Sequence, residues 1–341
     1  MNVDEKLALI KRNMQEIVTE EELVKLLKTK KKPAVYLGTA ITGRPHVGYF
    51  MWVLKMADFL KVRFKVKLLL ADIHGALDNC PWELLENRYK YYSIVIPAMF
   101  QAVGADIKNF EIVKGSDFQL KKEYVFDVLK MSTFASVHDC TKASSEVVKQ
   151  SENPKLSGLI YPIMQALDEE YLKVDIQYGG LDQRKILMFA REMLPKIGYK
   201  PRIEVMTPLI PGLTAGGKMS SSIKESKIDL IDDKETVNKK INNAFCQEGV
   251  IENNGVLAFV KYVLMTIKQD NGEEFTIKRP EKWGGNVSYK SYEEIEKDFV
   301  AKKIHPMDLK NALAEEINKL LEPIRKKMHG KEELIKKAYP E

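Results

Sequence analysis

Short apolar runs alternate with longer amphipathic stretches from about residue 34 to about residue 226. The short runs, which have the length and residue types of buried strands, are 34–38, 66–72, 110–115, 174–179 and 202–206. Helical spacing of the apolar residues predicts helices between them, at 47–62, 83–103, 117–130 and 182–194. This alternation predicts an α/β fold, with a parallel sheet covered by helices on both faces. In such sheets, ligands bind at the carboxyl ends of the strands.

The pattern changes after about residue 227. The remaining stretches have helical periodicity, interrupted by a strand-like piece at 273–279 and a glycine turn at 283–286. We therefore predict two domains, an α/β domain over residues 1–227 and a mainly helical domain over residues 228–341.

The N-terminus and the composition are those of an ordinary globular protein. Leu7, Ile10, Met14 and Ile17 lie on one helical stripe and predict an amphipathic helix rather than a signal peptide. A net charge of +6 permits a polyanionic partner, and no apolar run is long enough to span a bilayer, so we expect no membrane partner. The 3 cysteines are far apart, which predicts no zinc site, no disulfide framework and a reducing, cytoplasmic location.

The stretch "YLGTAITGRPHVGYF" at 36–50 has the form of a strand, a loop and a helix start. A helix N-terminus offers free N–H groups and a positive dipole end, which suit a phosphate. His46 and Thr42 can donate hydrogen bonds to phosphate oxygens, and Gly48, which lacks a Cβ, lets a planar ring lie against the backbone. Taken alone, the motif is equally compatible with a strand–helix turn that has a capping histidine.

A second motif, "AGGKMSSS" at 215–222, places one cation on a loop rich in glycine and serine. Lys218 on such a loop can move over a triphosphate and stabilise the charge that builds up during phosphoryl chemistry. A solvated surface loop is the alternative interpretation.

A third pattern lies in "YPIMQALDEEYL", where Tyr161, Gln165 and Asp168 share one helix face. Polar groups within an apolar helix are costly when buried unless they have partners. The spacing alone leaves two interpretations open, an interior hydrogen-bond network and the wet face of a surface helix.

The first two motifs, in this order, resemble the H-I-G-H and K-M-S-K-S signatures of class I aminoacyl-tRNA synthetases. Across nearly the whole chain, the runs "YLGTAITGRPHVGYF", "YPIMQALDEEYLKVD", "GGLDQRK" and "HPMDLKN" resemble the tyrosyl-tRNA synthetases of the archaeal and eukaryotic cytoplasmic type. The chain departs from the general signatures at Tyr49 and Ser221, which replace two groups that other class I enzymes direct at phosphates. The resemblance implies a Rossmann-like catalytic domain, a helical anticodon-binding domain and a homodimer whose interface lies in an insertion around 100–160.

The resemblance also implies a pocket for tyrosine. Asp168 and Tyr36 would bond the phenol, Tyr161 and Gln165 the ammonium group, Gln183 would lie near the carboxylate, and His74 would line the pocket. Phenylalanine would leave Asp168 and Tyr36 desolvated and unpaired, so it would be rejected without editing, a discrimination for which tyrosyl enzymes are the standing example.

For the other substrates, the resemblance implies ATP with Mg²⁺, without zinc, and tRNA(Tyr). The implied catalytic residues are His46, Gly48, Lys218, Thr42, Ser220 and Ser221. The implied ATP-binding residues are Gly38, His46, Gly48, Gly180, Asp182, Lys218 and Met219. The implied tRNA contacts are Arg184, Lys185 and Lys142 at the acceptor end and Trp283, His305 and Asp308 at the anticodon. The tyrosine carboxylate would attack the α-phosphorus of ATP, and tyrosine would then move to the 3′ end of the tRNA.

Three alternatives to this interpretation can be distinguished by sequence features. A tryptophanyl enzyme shares the fold and the signatures, but an indole has no phenol to pair with Asp168 and Tyr36. A small nucleotidyltransferase would not need the helical region that carries "HPMDLKN". An RNA-binding relative without catalysis is consistent with Tyr49 and Ser221 but not with Lys218 and the tyrosine-binding set.

Overall fold

The computed structural model describes residues 1–148, 155–214 and 227–340. Within these ranges, six strands form one sheet in the order β1-β6-β5-β2-β3-β4. Their bounds are Glu16–Val18 (β1), Ala34–Ala40 (β2), Lys65–Ala71 (β3), Phe110–Lys114 (β4), Ile176–Gly180 (β5) and Ile203–Thr207 (β6). Strands β2 to β6 are parallel, and the edge strand β1 pairs antiparallel with β6. The predicted α/β class and the five predicted strands are confirmed.

Strand β2 lies at the centre of the sheet, between β5 and β3. The chain therefore winds from β2 towards β3 and β4 on one side, and adds β5 and β6 on the other. The two windings separate at the carboxyl ends of β2 and β5, which leaves a crevice there. The topology thus predicts where a ligand binds before any side chain is considered.

The helices of the α/β part occupy the connections between strands. They are Val3–Lys11 (α1), Glu20–Thr29 (α2), Phe50–Lys61 (α3), Asp72–Leu77 (α4), Leu85–Ala102 (α5), Ser116–Gln119 (α6), Lys122–Ser132 (α7), Val137–Ser144 (α8), Leu156–Tyr171 (α9) and Arg184–Met193 (α10). The helix predicted at 117–130 is wrong in one respect, because the chain breaks between α6 and α7. This break lets Gln119, at the end of α6, turn its side chain into the interior.

The predicted N-terminal helix is wrong at its carboxyl end, because α1 ends at Lys11. Asn13 has a φ of 59°, in the left-handed region that interrupts a helix. Its side-chain amide donates to Thr266 Oγ1 at 2.9 Å. The rest of the apolar stripe continues in the edge strand, where Ile17 pairs with Val205.

The chain after residue 227 is mainly helical, as the periodicity indicated. The helices are Lys234–Asn243 (α11), Gly255–Phe259 (α12), Met265–Asn271 (α13), Tyr292–Val300 (α14), Pro306–Met328 (α15) and Glu332–Ala338 (α16). A π-helical turn joins α12 to α13, and a two-stranded hairpin is formed by Phe275–Ile277 (β7) and Val287–Tyr289 (β8). One hydrophobic cluster includes residues of α3 and α5 as well as residues of α11 to α16. The boundary at 227/228 stays a prediction.

No described helix combines the length and the hydropathy that a transmembrane span requires.

Candidate active site

A cavity of about 370 Å³ lies at the carboxyl ends of β2 and β5. Its lining includes twelve of the residues proposed from the sequence: Tyr36, Gly38, Thr42, His46, Gly48, His74, Tyr161, Gln165, Asp168, Gly180, Asp182 and Gln183. Lys218, Met219, Ser220 and Ser221 lie outside the described residues. Three stretches that are far apart in the sequence therefore meet at the topological switch point. They are the stretch 36–50, the polar helix stripe and the "GGLDQRK" run.

His46 begins the helical segment at the open end of the cavity. Its Nδ1 accepts a hydrogen bond from the Gly48 N–H at 3.2 Å, so the neutral ring carries its proton on Nε2. Burial, with a smaller contribution from Lys227, lowers the pKa of His46 to about 3. His46 is thus a neutral donor at physiological pH, as a group that bonds a phosphate oxygen through Nε2–H requires.

Tyr49, the departure from the general signature, lines the cavity beside His46 and packs against its neighbours. Its ring packs edge-on against His46 with 5.0 Å between centroids. Its hydroxyl lies 3.5 Å from Thr39 Oγ1 and 3.4 Å from the Tyr92 hydroxyl. Tyr49 therefore supports the His46 ring.

The loop before His46 is fixed by buried polar side chains. The guanidinium of Arg88 donates to the carbonyls of Ile41 and Thr42. The hydroxyls of Tyr92 and Tyr339 both donate to the Gly43 carbonyl, at 2.6 and 3.0 Å. Because these contacts satisfy three consecutive carbonyls, the loop is held in one path.

The chain that follows the second motif is attached to the first. Val47 N–H donates to the Ile228 carbonyl at 2.9 Å, and His46 forms an isolated bridge with Asp229. The buried Lys227 is paired with Asp229 at 2.8 Å and donates to the Arg44 carbonyl at 3.3 Å. Residues 227–229, where the described chain resumes after the second motif, are therefore anchored beside His46.

Asp168 is the acidic group at the closed end of the cavity and is only 1% exposed. Its Oδ1 accepts hydrogen bonds from Gln119 Nε2 and from the Tyr124 hydroxyl, both at 2.8 Å. His74 Nε2 lies 3.6 Å from Oδ2. Burial raises the pKa of Asp168 to about 8, and the two hydrogen bonds oppose this rise. The carboxyl group is therefore poised between two protonation states near physiological pH.

The tautomer of His74 follows from its neighbour. Gln119 Nε2, a donor, lies 3.3 Å from His74 Nδ1, so Nδ1 accepts and the ring proton is on Nε2. Burial lowers the pKa of His74 to about 3, which keeps the ring neutral. The ring of Tyr161 packs edge-on against it at 4.6 Å. His74 thus presents an N–H towards Asp168.

Tyr36 and the polar stripe complete the lining. The Tyr36 hydroxyl donates to the Gln165 carbonyl at 3.4 Å, and burial, followed by the Asp168 charge, raises its pKa well above the ordinary value. The Gln165 side-chain amide donates to Gln183 Oε1 at 3.0 Å. Burial of the stripe excludes the wet face of a surface helix, and the side chains of Gln165 and Asp168 have hydrogen-bond partners in the interior.

Gln119 and Tyr124 were missed from the sequence. Gln119 ends a four-residue helix and belongs to no motif. Tyr124 follows the apolar periodicity of α7 and therefore reads as a core residue. The available signal was its hydroxyl, because a buried tyrosine usually needs a hydrogen-bond partner.

The acceptor-end candidates lie outside the cavity, and two of them, Arg184 and Lys185, are engaged in ion pairs. Arg184 binds both carboxylate oxygens of Glu16, at 2.7 and 2.9 Å, and Lys185 is 2.8 Å from Glu146. Lys142 is in the last turn of α8, which packs on α10. A polyanion would compete with these carboxylates for Arg184 and Lys185.

The anticodon candidates are on two segments that Arg279 joins. Trp283 is 66% exposed and lies in a turn that ends at Gly284. His305 caps α15, with its Nδ1 accepting from the Met307 N–H at 3.2 Å, and Asp308 is in the first turn of that helix. Arg279 donates to the carbonyls of Gly285 and Lys303, each at 3.0 Å, which ties the tryptophan turn to the residues before His305.

Among residues 1–148, 155–214 and 227–340, no three His, Cys, Asp or Glu side chains cluster as metal ligands.

The sequence profile described as "tRNA synthetases class I (W and Y)" matches residues 28–322. The cytoplasmic tyrosine–tRNA ligase of Gallus gallus is 53% identical over 98% of this chain and 63% of its own length. The corresponding protein of Saccharomyces cerevisiae is 46% identical over 99% of this chain and 88% of its own length. The tyrosyl-tRNA synthetase of Archaeoglobus fulgidus, solved with L-tyrosine, superposes with a TM-score of 0.88 at 41% identity, covering 96% of this chain and all of that one.

The chain therefore belongs to the class I tRNA synthetases of the tryptophan and tyrosine group. Within this group it lies in the tyrosyl-tRNA synthetase branch that includes archaeal and eukaryotic cytoplasmic members. It spans somewhat less than two thirds of the length of its vertebrate relatives.

Proposed function

We propose that this chain is a tyrosine–tRNA ligase that activates L-tyrosine with ATP and transfers it to the 3′ end of tRNA(Tyr). One observation carries the proposal. A buried acceptor for a para-hydroxyl, Asp168, and a phosphate-binding helix start, His46 to Gly48, line the same cavity. A para-hydroxyphenyl side chain bound at Asp168 would direct its amino-acid end towards the nucleotide end of the cavity.

Tyrosine fits the closed end better than tryptophan or phenylalanine does. The phenol is both donor and acceptor, and it can donate to Asp168 while it accepts from Tyr36. Tryptophan has a single N–H and no acceptor, so Tyr36 would lose its role. Phenylalanine would leave Asp168 Oδ2 unpaired at a cost of about 1–3 kcal/mol, and the Tyr36 hydroxyl would keep only the Gln165 carbonyl as its partner.

The first step needs positioning and charge stabilisation rather than a protein nucleophile. The tyrosine carboxylate would attack the α-phosphorus of ATP, with His46 Nε2–H and the N–H groups near Gly48 as donors to phosphate oxygens. Asp182, which lines the cavity, would accept from the ribose hydroxyls, and the bare backbone of Gly38 and Gly180 would admit the nucleotide. Mg²⁺ would neutralise phosphate charge, held by the ATP itself. Lys218 is proposed to act on the same phosphates.

The second step requires tRNA, for which the helical part supplies the candidate surface. Trp283 offers an exposed ring on which an unstacked base can stack, and Asp308 can accept from a guanine edge. Arg184, Lys185 and Lys142 are proposed to contact the acceptor end. Because Arg279 joins the two anticodon segments, Trp283 and Asp308 would act on the same loop of the tRNA.

A homodimer is proposed through α7 and its flanks, within the region around 100–160. Six large apolar side chains are exposed there: Leu120, Val125, Phe126, Leu129, Phe134 and Val137. Exposed apolar side chains that are close together in the chain are typical of protein–protein interfaces, and we propose a second copy of this chain as the partner. A cytoplasmic location is proposed from the names of the relatives.

Pyrophosphate exchange tests the activation step directly. The chain should incorporate labelled pyrophosphate into ATP when tyrosine is present, and it should not do so with tryptophan or phenylalanine. Exchange with tryptophan but not with tyrosine would instead indicate a tryptophan-specific enzyme of the same family. Absence of exchange with any amino acid, in protein shown to be folded, would refute it.

A further inference from the structure

Tyr124 stands between Asp168 and the backbone of α9. Its hydroxyl lies 2.8 Å from Asp168 Oδ1 and also 2.8 Å from the Met164 carbonyl. A phenol has one proton and can satisfy only one of these two acceptors at a time. The Met164 carbonyl lies inside α9, where the helix itself supplies a backbone donor. We therefore assign the proton of the Tyr124 hydroxyl to the hydrogen bond with Asp168.

The two oxygens of Asp168 differ in their surroundings. Oδ1 takes both donors, Gln119 Nε2 and the Tyr124 hydroxyl. Among the described residues no donor lies within hydrogen-bond distance of Oδ2, since His74 Nε2 is 3.6 Å away. Asp168 lines the cavity, so Oδ2 is the oxygen available to a ligand.

We propose that Tyr124 and Gln119 are positioning residues for amino-acid specificity, which saturate Oδ1 of Asp168 and so present Oδ2 as an ionised acceptor for the substrate hydroxyl. This inference rests on the proposed tyrosine function and adds two specificity residues to it. The paired donors fix the rotation of the carboxyl group and favour its charged form. Neither residue touches the substrate in this scheme, since both act through Asp168.

The titratable groups that interact with Asp168 lie on four elements of the fold. They are Tyr36 on β2, His74 on α4, Tyr124 on α7, and Tyr161 and Glu169 on α9. The tyrosines and His74 are neutral throughout the physiological range, because burial raises the pKa of each tyrosine and lowers that of His74. Burial raises the pKa of Glu169 above its ordinary value. A pH effect on tyrosine binding should therefore be compared between variants that keep Glu169.

Calorimetric titration of the full chain with L-tyrosine and L-phenylalanine, without ATP, tests the proposal. Tyr124→Phe should weaken tyrosine binding about tenfold, the effect of losing a hydrogen bond to a charged acceptor. Its phenylalanine affinity should stay within about twofold, because that ligand does not use Oδ2. Tyrosine binding should also require a higher pH than in the wild type, since the ionised carboxyl has lost a donor.

Tyr171→Phe is the matched control. Its ring packs 4.8 Å from that of Tyr124, and its hydroxyl donates to Asp127 Oδ2 at 2.8 Å rather than to Asp168. It should leave the pH dependence of tyrosine binding unchanged. Equal behaviour of the two phenylalanine variants would overturn the proposal, as would wild-type affinity in Tyr124→Phe.

Gln119→Met provides a second variant if Tyr124→Phe does not fold. It removes the other donor to Oδ1 at similar side-chain volume. It should give the same loss of tyrosine affinity and the same upward shift in the pH that tyrosine binding requires. An unchanged profile in this variant would also overturn the proposal. If the wild type fails to bind tyrosine, the proposed function fails and this inference fails with it. If the wild type binds tyrosine and the variants do too, only the inference fails.

Discussion

Replacing Asp168 by asparagine should change the selectivity of the cavity without changing its shape. Oδ1 of the carboxyl group faces two donors, Gln119 Nε2 and the Tyr124 hydroxyl. The asparagine oxygen must take this position, because an NH₂ group there would oppose both donors. Its NH₂ group would then replace Oδ2 at the cavity. The substrate phenol would lose an anionic acceptor and meet a donor instead.

The size of the effect follows from this exchange. A hydrogen bond to a charged group contributes about 1.5–3 kcal/mol, and a neutral one about 1 kcal/mol. The difference of about 1.5 kcal/mol corresponds to about a tenfold fall in kcat/KM for tyrosine. Phenylalanine should be used as well as before or better, since it no longer leaves a charge unpaired. Asp168→Ala, which also removes the carboxylate acceptor that Gln119 and Tyr124 share, should cost considerably more.

The assay is pyrophosphate exchange with tyrosine and with phenylalanine, measured across pH. Burial raises the pKa of Asp168 to about 8, so the empty wild-type site is protonated below this pH and ionised above it. The wild-type kcat/KM for tyrosine should therefore rise as pH increases towards 8 and level off beyond it. The asparagine variant should lack this rise. An equal fall for both amino acids, or a rise with pH that persists in the variant, would refute the reasoning.

Three other predictions concern the rest of the chain. Asp308→Ala should reduce the charging of tRNA(Tyr) at least tenfold while pyrophosphate exchange is unchanged. The control Glu315→Ala, further along α15, should affect neither activity. Equal loss of both activities in Asp308→Ala would contradict the proposal that the helical part binds tRNA and the α/β part activates tyrosine. Phe126→Glu should convert the proposed dimer into a monomer, as measured by analytical ultracentrifugation. The control Val300→Glu, which alters an exposed apolar residue on α14, should leave the dimer intact. A Phe126→Glu variant that is still a dimer would exclude α7 as the interface. Glu169 and Glu204 are fully buried, and burial raises the pKa of both above 4.5. The folded state therefore keeps protons that the unfolded chain releases, and stability should fall as pH rises above about 5. Glu204→Gln should flatten this dependence in denaturant titrations, and an unchanged slope would contradict the assignment.

Much of the fold could be predicted because the parallel strands are buried on both faces. In strand β3, for example, four of the last five residues are apolar and buried. The predicted bounds, 66–72, differ from the observed bounds by one residue at each end. Strands β1 and β8 were missed, since three residues are too few to show an alternation. The left-handed conformation of Asn13 follows the end of α1, and the apolar stripe of that helix continues in strand β1. No local sequence pattern distinguishes such a helix end from a helix that continues.

The candidate site could be predicted only where its residues form local motifs. His46 and Gly48 belong to one run, and Asp168 belongs to a helix stripe that the resemblance interprets. Gln119 and Tyr124 reach Asp168 from other helices, across 49 and 44 residues of sequence. Contacts of this length depend on how α6 and α7 pack against α9, which is a property of the tertiary structure and not of any segment.

The polar groups at the closed end of the cavity are better explained by a ligand than by stability. His74 Nε2 is buried and has no hydrogen-bond partner among the described residues, and Asp168 has one oxygen without a donor there. An unsatisfied buried group costs about 1–3 kcal/mol, so apolar side chains at these positions would give a more stable core. A phenol that donates to Oδ2 supplies the missing partner and excludes amino acids that cannot. The incomplete hydrogen bonding of Asp168 and His74 is therefore the physical basis that we propose for selectivity towards tyrosine.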